Sequence, residues 1–392
     1  MKSDKLHILH CIQDEKFIDN SVISRFEYFN DKVENKYVIV RKNSTKPVTK
    51  FKYIKQTEYV TQLKNSQFLG FLKQSNIKVV ILHNFTALSR SIIYKIPSEI
   101  KVVWFAWGAD LYYPIAYKPF IVVPNLYGKI TSRIAKDESF NLKGFLRNLK
   151  RLFFDYWVKK SVSRIDYFSG VIPQEYQQMK KLPFFHASEV VFSYNALPSK
   201  SDSDMNCTMA KGDNILIGNS GDMTNNHLEI FEVLKTLDLG KRKIFVPLSY
   251  SGTERYKALV KEKGREYWGE NFVPMEDFMP YEEYLQVLLS CGIRIFGQER
   301  QQAMGNITIA WKQGCKIFLS ETSMAYDFYK DLGVKFFTIQ HDLNQQCLDA
   351  SYSAQQAEIT RKILYEKRNP YKTSIQDLEI LIDKLAYACK EA

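Results

Sequence analysis

Short apolar runs recur along the chain and are separated by longer stretches in which apolar residues have helical spacing. In the first half, these runs predict strands at Leu6–Ile12, Tyr37–Arg41, Val79–His83, Val102–Ala106, Tyr167–Val171 and Val190–Tyr194. In the second half, they predict strands at Ile215–Ile217, Lys243–Leu248, Ile293–Phe296, Lys316–Leu319 and Lys335–Ile339. Strands that alternate with helices are typical of a largely parallel sheet with helices on both faces.

A polar, turn-rich segment that begins at Pro198 separates the two halves of this pattern. We therefore predict a Rossmann-like domain at residues 1–197, a linker at 198–212, a second Rossmann-like domain at 213–372 and a final helix at 373–392. Two such domains would place a cleft between the carboxyl ends of their sheets. The final helix carries Ile375, Leu378, Ile382 and Leu385 on one face, so we expect it to pack back across the cleft.

The amino-acid composition limits the classes of protein to which the chain can belong. The chain has 392 residues, of which 45% are hydrophobic, enough for substantial cores. Its six cysteines are scattered without a C-x-x-C pair, which argues against a zinc site and for a reducing compartment. The first residues are too polar for a signal peptide, and no segment approaches the roughly 20 apolar residues that span a bilayer. We expect a cytoplasmic protein, soluble or peripheral to the membrane.

The net charge of +12 is concentrated in one region. Residues 118–164 contain eleven Lys and Arg against three acids, interleaved with aromatic and aliphatic residues. Such a pattern predicts an amphipathic helix on the anionic inner-membrane surface, with contacts from Lys143, Arg147, Lys150 and Arg151. The alternative is a core helix with a solvated basic face. Nucleic acid is not expected as a partner, because no zinc-finger, RNP or helix-turn-helix signature accompanies the charge.

The stretch Ile215–His227 combines a short apolar run, a turn and the start of a helical pattern. Its turn, Gly218–Asp222, has two glycines that would let an anion approach the backbone N–H groups at a helix start. In outline this is a phosphate cradle. The turn is equally compatible with a plain connection between a strand and a helix, because similar turns occur without any ligand.

Four blocks in order along the chain resemble one enzyme family: Trp104–Tyr112, Gly218–Asp222 with Asn225 and His227, Val246–Tyr250, and Arg300-Gln301-Gln302 followed by Gly305. They are similar to the 4-acetamido-4,6-dideoxygalactose (Fuc4NAc) transferases, which act on a polyprenyl-diphosphate-linked intermediate of enterobacterial common antigen. The resemblance implies an α/β, GT-B-like fold. It also implies a nucleotide-sugar donor, TDP- or UDP-linked, in the C-terminal domain and a lipid-diphosphate-linked saccharide acceptor in the N-terminal domain.

Sugar transfer requires stabilisation of the departing diphosphate and positioning or deprotonation of the acceptor hydroxyl. With the resemblance, the donor-side candidates are Gly218, Asn219, Ser220, Gly221, Asp222, Asn225, His227, Ser249, Tyr250, Arg300, Gln301, Gln302, Gly305 and Asn306. Without it, Arg300 would be interpreted as a surface charge at a strand end. We expect neither a metal nor a further cofactor, since Asp202-Ser203-Asp204 has the letters of a metal-binding triplet but lies in the linker.

The acceptor-side candidates are Asp110, His83 and Asp19. Asp110 follows a predicted strand, at the edge where sites gather in such sheets, although it could equally cap a turn. His83 ends another strand, where a lone histidine is more often structural. Asp19 lies in the loop after the first strand, where inverting GT-B enzymes often keep a base. Two other functions stay open, namely a nucleotide-sugar epimerase of the same fold and a non-catalytic nucleotide-sugar-binding protein.

Overall fold

The computed structural model describes residues 5–112, 120, 125–139, 156–194, 208–334, 336–367 and 370–390. Contacts divide the chain into two units: the first comprises Met1–Val122, Phe145–Ser203 and Asn369–Ala392, and the second Val123–Gly144 and Asp204–Arg368. The described residues 125–139 therefore pack with the second unit, although the predicted boundaries placed them in the N-terminal domain. Most of the predicted linker, 198–212, lies outside the described residues.

Each unit is built on one parallel sheet. The strands of the first sheet are β1 (Leu6–Cys11), β2 (Val33–Arg41), β3 (Val60–Lys64), β4 (Val79–His83), β5 (Lys101–Phe105), β6 (Tyr167–Ser169) and β7 (Ser188–Glu189). Those of the second are β8 (Ile215–Ile217), β9 (Ile244–Pro247), β10 (Phe272–Met275), β11 (Ile293–Phe296), β12 (Lys316–Leu319) and β13 (Phe337–Thr338). Their spatial orders are β3-β2-β1-β4-β5-β6-β7 and β10-β9-β8-β11-β12-β13. In each unit the carboxyl ends of the strands meet at one edge.

Helices alternate with these strands. They are α1 (Ser24–Glu27), α2 (Asn65–Gln74), α3 (Arg90–Ile93), α4 (Ala109–Tyr112), α5 (Lys129–Ser139), α6 (Pro173–Met179), α7 (His227–Leu234), α8 (Glu254–Trp268), α9 (Tyr281–Ser290), α10 (Met304–Lys312), α11 (Met324–Asp331), α12 (Gln345–Asp349), α13 (Ala354–Lys367) and α14 (Pro370–Lys390). Residues 156–162 are also helical, and Ile18–Ile23 forms a π-helical turn. This α/β architecture of two parallel-sheet units confirms the predicted fold class.

The final helix, α14, completes the core of the first unit. Leu378, Leu381, Ile382 and Leu385 are buried there, in one cluster with apolar side chains of β1, β4 and β5. These residues follow the apolar spacing that the sequence showed, so the helix covers the sheet with its one apolar stripe. The prediction that the C-terminal helix packs back is confirmed, since it packs on the first unit, while its crossing of a cleft stays a prediction.

The core of the second unit is assembled around β8, whose residues Ile215–Ile217 are all buried. Apolar side chains of α7 and α8 pack against one face of this sheet. Ile130 and Ile134 of α5 pack against the same cluster, which is why α5 belongs to the second unit. A strand that is apolar on both faces is typical of the centre of a parallel sheet.

The sequence prediction missed three strands, β3, β7 and β10, and all of them are edge strands. The short β3 is polar on much of its surface, and β10 contains Pro274, which lacks an N–H and is tolerated only at a sheet edge. The predicted strand Val190–Tyr194 was wrong, because the ladder ends with β7 at Glu189. Beyond that point β6 has ended, and the N–H of Phe192 donates to the hydroxyl of Ser169 (3.0 Å) instead of to a backbone carbonyl.

Candidate functional site

Polar residues gather at the carboxyl edge of the second sheet, in the loops that follow β8, β9, β11 and β12. The loop after β8 contains Gly218–Asp222, and the loop after β11 contains Gln298–Gln302. These loops are neighbours because β8 and β11 are paired in the sheet. The donor-side candidates named from the sequence all lie in these loops or in the helices that begin after them.

Asn225 holds the loop after β8 from inside. Its side chain is fully buried, and its Nδ2 lies 3.0 Å from the carbonyl oxygens of both Ser220 and Asp222. Its Oδ1 accepts hydrogen bonds from the backbone N–H of Asn219 (3.0 Å) and from Nε2 of Gln298 (2.7 Å). Asn225 therefore positions the loop rather than presenting a surface to a ligand.

A second glutamine joins the loops after β8 and β11. Nε2 of Gln302 donates to Oδ1 of Asn219 (3.0 Å), and its Oε1 lies 2.7 Å from the hydroxyl of Thr224. Gln298 and Gln302, both in the loop after β11, therefore place their side-chain amides against the loop after β8. Gln301 is also buried, so this part of the site is a packed polar layer.

Several backbone N–H groups of the Gly218–Asp222 loop already have partners. The N–H of Gly218 donates to the carbonyl of Ile295, and that of Gly221 donates to the carbonyl of Tyr250, both at 2.9 Å. With the N–H of Asn219 bound to Asn225, these groups hold the loop in place. The loop shapes the edge of the sheet, and the phosphate cradle predicted from its glycines stays a prediction.

Glycine is required at the two positions of this loop, 218 and 221, for different structural reasons. Gly218 has φ +69°, and a Cβ there would lie 2.7 Å from Oδ1 of Asn225. At Gly221, a Cβ would lie 2.9 Å from the carbonyl oxygen of Ser251. Gly252, at φ +80°, is tighter still, since its Cβ would lie 1.9 Å from the carbonyl oxygen of Gly221. The loops after β8 and β9 therefore touch backbone to backbone.

His227, the first residue of α7, is completely buried beneath this loop. Its Nδ1 lies 3.4 Å from the hydroxyl of Tyr256, and a Cβ at position 218 would lie 3.0 Å from its Nε2. Burial lowers the pKa of His227 to about 4, so the ring is neutral near pH 7. The residue supports the loop from within the core.

Arg300 is nearly buried, with 9% of its surface exposed, and its Nη1 lies 3.4 Å from the carbonyl oxygen of Gln301. The preceding residue, Glu299, accepts hydrogen bonds from Ser320 (2.6 Å) and Thr322 (2.7 Å) in the loop after β12. Burial raises the pKa of Glu299, and these two hydroxyls partly offset that effect. Sequence analysis did not identify Glu299, because its partners lie far along the chain.

Two places at this edge are open to a ligand. Ser249 and Tyr250, after β9, are exposed, and 62% of the Tyr250 surface is accessible. Helix α10 begins after Ala303, which has φ +58°, and its backbone bonding starts from the N–H of Ile307 to the carbonyl of Ala303 (2.9 Å). The N–H groups of the first turn have no acceptor within a helix, and a Cβ at Gly305 would meet no heavy atom within 4 Å.

In the first unit, Asp110 lies at the carboxyl edge of the sheet and is only 2% exposed. Its Oδ2 accepts hydrogen bonds from Nε1 of Trp104 (2.8 Å) and the N–H of Phe85 (3.0 Å), and its Oδ1 accepts one from the N–H of Trp107 (2.9 Å). Burial raises the pKa of Asp110 against the opposing effect of these donors. The geometry favours the capping role over a role in chemistry.

His83 is also completely buried and belongs to a chain of polar side chains. Its Nε2 lies 3.1 Å from Nδ1 of His10, and its Nδ1 lies 3.0 Å from the hydroxyl of Tyr194. His10 in turn lies 3.1 Å from Oδ1 of Asn35. Burial lowers the pKa of His10 to about 3 and that of His83 well below its ordinary value. Both rings are therefore neutral near pH 7, and they form buried polar contacts within the first unit.

Asp19 anchors a surface loop. Its Oδ2 accepts a hydrogen bond from the N–H of Lys55 (2.8 Å), and its Oδ1 lies 3.4 Å from the N–H of Gln56. Asp19, His83 and Asp110 thus each have hydrogen-bond partners within the first unit. The membrane-contact candidates Lys143, Arg147, Lys150 and Arg151 lie outside the described residues.

Glu175 is a buried carboxylate that sequence analysis missed. It lies in the first turn of α6, where its Oε2 accepts a hydrogen bond from the N–H of Val171 (2.6 Å) and lies 3.3 Å from that of Ile172. Burial raises the pKa of Glu175 to about 7, and the nearby Asp110 adds to the rise. The available signal was Pro173 at a helix start followed by an acid, a pattern that predicts a cap.

Two observations on the described part of the chain bear on the predicted partners. No helix there is both long and apolar enough to cross a bilayer. Within the same residues, no group of three or more His, Cys, Asp or Glu side chains is arranged to hold a metal ion. Metal independence and membrane association both stay predictions.

Solved structures show the class of fold. A glycosyltransferase from Rickettsia africae ESF-5 matches with 11% identity and a TM-score of 0.59, over 98% of this chain and 99% of that chain. The lipopolysaccharide outer core galactosyltransferase WaaB, in its apo form, matches with 12% identity and a TM-score of 0.57, over 97% and 99%. OtsA in its apo form matches with 8% identity and a TM-score of 0.60, over 97% and 99%. The chain has the GT-B fold of glycosyltransferases.

A family model identifies the particular group. The model described as 4-alpha-L-fucosyltransferase, glycosyl transferase group 56, matches residues 147–372, which is more than half of the chain and includes the loops described above. The chain therefore belongs to this glycosyltransferase family. The resemblance drawn from the sequence blocks is confirmed, and so is sugar transfer as the class of reaction.

Replacement of Asp110 by Asn is expected to destabilise the protein. An amide offers one acceptor atom in place of two, so at least one buried donor among Trp104, Phe85 and Trp107 loses its partner or faces the new NH2 group. The free energy of unfolding should fall by about 1–3 kcal/mol in urea titrations. A variant with unchanged stability and turnover reduced by roughly 100-fold would instead assign Asp110 to the chemistry.

Stability should also depend on pH through Glu175. Its ordinary pKa of 4.5 is raised to about 7 in the folded protein, so the folded state binds more protons than the unfolded state between these values. The associated stability is present below pH 4.5 and is lost as the pH rises through about 7, a loss of about 3 kcal/mol. The free energy of unfolding, measured with urea at about pH 5 and pH 8, should depend less on pH in Glu175→Gln than in the wild type. The buried histidines titrate in both proteins and cancel in the comparison, so equal pH dependence would contradict the assignment.

Proposed function

We propose that this glycosyltransferase moves an N-acetylated amino-deoxy sugar from a nucleoside diphosphate, TDP or UDP, to a polyprenyl-diphosphate-linked saccharide. Membership of the family already implies a nucleotide-sugar donor and an acceptor. The observation that carries the proposal is the arrangement at the carboxyl edge of the second sheet. There, the open first turn of α10 follows β11 and the exposed Tyr250 follows β9, the two strands that flank β8 in the sheet.

This edge offers separate groups for the two parts of the donor. Tyr250 is largely exposed, and its ring is of the kind that stacks on a nucleobase. The N-terminal N–H groups of α10 carry partial positive charge, and Gly305 lets a diphosphate approach them closely. Asn225, Gln298 and Gln302 keep the loops in place, so these groups are preorganised before the donor binds.

The reaction follows from this placement. The acceptor hydroxyl oxygen attacks the anomeric carbon and loses its proton to a base, while the bond from that carbon to the diphosphate oxygen breaks. The nucleoside diphosphate leaves with the bonding electron pair, so negative charge grows near α10 and Arg300. Groups placed there stabilise the transition state more than the ground state.

The acceptor and the location are proposed together. A polyprenyl-linked saccharide is held in a bilayer, so an enzyme that uses it must work at the membrane surface. The high net charge of +12 supports an anionic surface as the partner, on the cytoplasmic face of the inner membrane. An epimerase or a binding-only protein of the same fold would not require that surface, and the transferase family makes both less favoured.

A donor screen tests the proposal. The protein is incubated with TDP- and UDP-linked sugars and a lipid-diphosphate saccharide, and nucleoside diphosphate release is measured with and without the acceptor. We expect release that depends on both substrates, with the sugar recovered on the lipid. An epimerised donor without acceptor, or binding without any release, would contradict the proposal.

Replacement of Arg300 by Ala should lower turnover strongly and weaken nucleoside diphosphate binding. A guanidinium beside the diphosphate interacts with the charge that develops there, so binding of the nucleoside monophosphate should change less. Calorimetric titration with the diphosphate and the monophosphate measures both effects. Arg255→Ala, an exposed arginine of α8, is the matched control. Wild-type diphosphate affinity and normal turnover in Arg300→Ala would exclude Arg300 from the site.

A further inference from the structure

The connection between β2 and β3 is strongly basic. Residues 41–56 contain six positively charged side chains and neither Asp nor Glu. The six are Arg41, Lys42, Lys46, Lys50, Lys52 and Lys55. We call this segment the basic loop, and it belongs to the first unit. Its sequence lies outside the region 118–164 that accounted for the charge in the sequence analysis.

The lysines of the basic loop are directed to water. Lys42, Lys46, Lys50, Lys52 and Lys55 are all exposed. Within the described residues, no ion pair engages any of these five lysines. At the tip, Pro47 and Val48 lie between Lys46 and Lys50, and Val48 is 48% exposed. The tip therefore presents an apolar side chain flanked by cations.

The acids nearest to the loop bind its backbone instead of its ammonium groups. Asp14 accepts hydrogen bonds from the N–H groups of Lys52 (2.6 Å), Tyr53 (2.9 Å) and Ile54 (3.0 Å). Asp19 accepts one from the N–H of Lys55. These carboxylates fix the end of the loop through its backbone, and Nζ of Lys52 lies over the ring of Tyr53, 4.9 Å from its centroid.

The tip is fixed as well. The side-chain amide of Gln62 on β3 pairs with the backbone of Val48, whose N–H donates to Oε1 (2.8 Å) and whose carbonyl accepts from Nε2 (2.8 Å). Near the other end, the hydroxyl of Thr45 donates to the carbonyl of Lys42 (2.8 Å). The loop thus has a defined conformation, and binding through it would require little ordering of the backbone.

We propose that the basic loop docks the protein on an anionic phospholipid bilayer. The lysines are spread along the loop, as suits a surface of many headgroups, whereas a single bound anion would require them to converge on one point. Lysine ammonium groups act as point charges without the bidentate geometry that selects one phosphate. An exposed Val48 between cations fits the boundary between headgroups and acyl chains. The inference rests on the proposed lipid-linked acceptor.

The test is flotation with vesicles made of equal parts phosphatidylglycerol and phosphatidylcholine, using the full chain at low ionic strength. The test variant carries Lys42→Gln, Lys46→Gln, Lys50→Gln and Lys55→Gln. The matched control carries Lys241→Gln, Lys243→Gln, Lys330→Gln and Lys362→Gln, exposed lysines of the second unit, and has the same net charge. We expect the partition coefficient of the test variant to fall by about 1,000-fold and that of the control to stay near the wild-type value.

Equal losses in the two variants would mean that only net charge matters, and no loss in the test variant would mean that another segment binds; both results overturn the proposal. Tighter retention of the wild type on single-stranded nucleic acid than on vesicles would also overturn it. Donor turnover with a water-soluble saccharide acceptor separates this inference from the proposed function, because the test variant should keep it. If vesicle binding follows the expected pattern while the lipid-linked saccharide is never glycosylated, the docking surface stands and the proposed acceptor is wrong.

Discussion

A buried loop has backbone groups that water cannot reach, and the loop after β8 depends on Asn225 to satisfy them. One side-chain amide contacts the carbonyls of Ser220 and Asp222 and the N–H of Asn219. Without it, the N–H of Asn219 would lose its partner, at a cost of about 1–3 kcal/mol for a buried group, and the carbonyl of Ser220 would lose a donor. The positions of Gln298 and Gln302 follow from the same contact, because both amides bind a loop that Asn225 has already shaped.

Burial decides which polar residues of the first unit can take part in chemistry. His10 and His83 are neutral because the charged ring would lose its hydration, and the carboxylates of Asp110 and Glu175 are surrounded by backbone or indole donors. These residues stabilise the edge of the sheet on which an acceptor site would be built. Groups that do reach water, such as the lysines of the basic loop, are better placed to meet a partner.

The apolar runs were sufficient to predict the central strands, because a parallel strand buried on both faces has few polar residues. Strand β8 was predicted at its observed bounds, whereas β10 was missed because Pro274 is acceptable only at an edge that the sequence does not reveal. In the candidate site, Gly218 and Gly221 were sufficient to predict the position of the loop after β8 from the sequence. The internal role of Asn225 was not predictable, since Gln298 lies 73 residues away and only the folded sheet brings the two amides together.

The contact between Gly221 and Gly252 has a mechanical consequence. The two backbones touch without a side chain between them, so no flexible layer can absorb a displacement of either loop. A further tie is the hydroxyl of Ser251, which donates to Oδ2 of Asp222 (3.1 Å). The loops after β8 and β9 are therefore mechanically coupled. We expect a displacement of the loop carrying Tyr250 to be transmitted to the turn after β8, and an insertion in either loop to be restricted by the other.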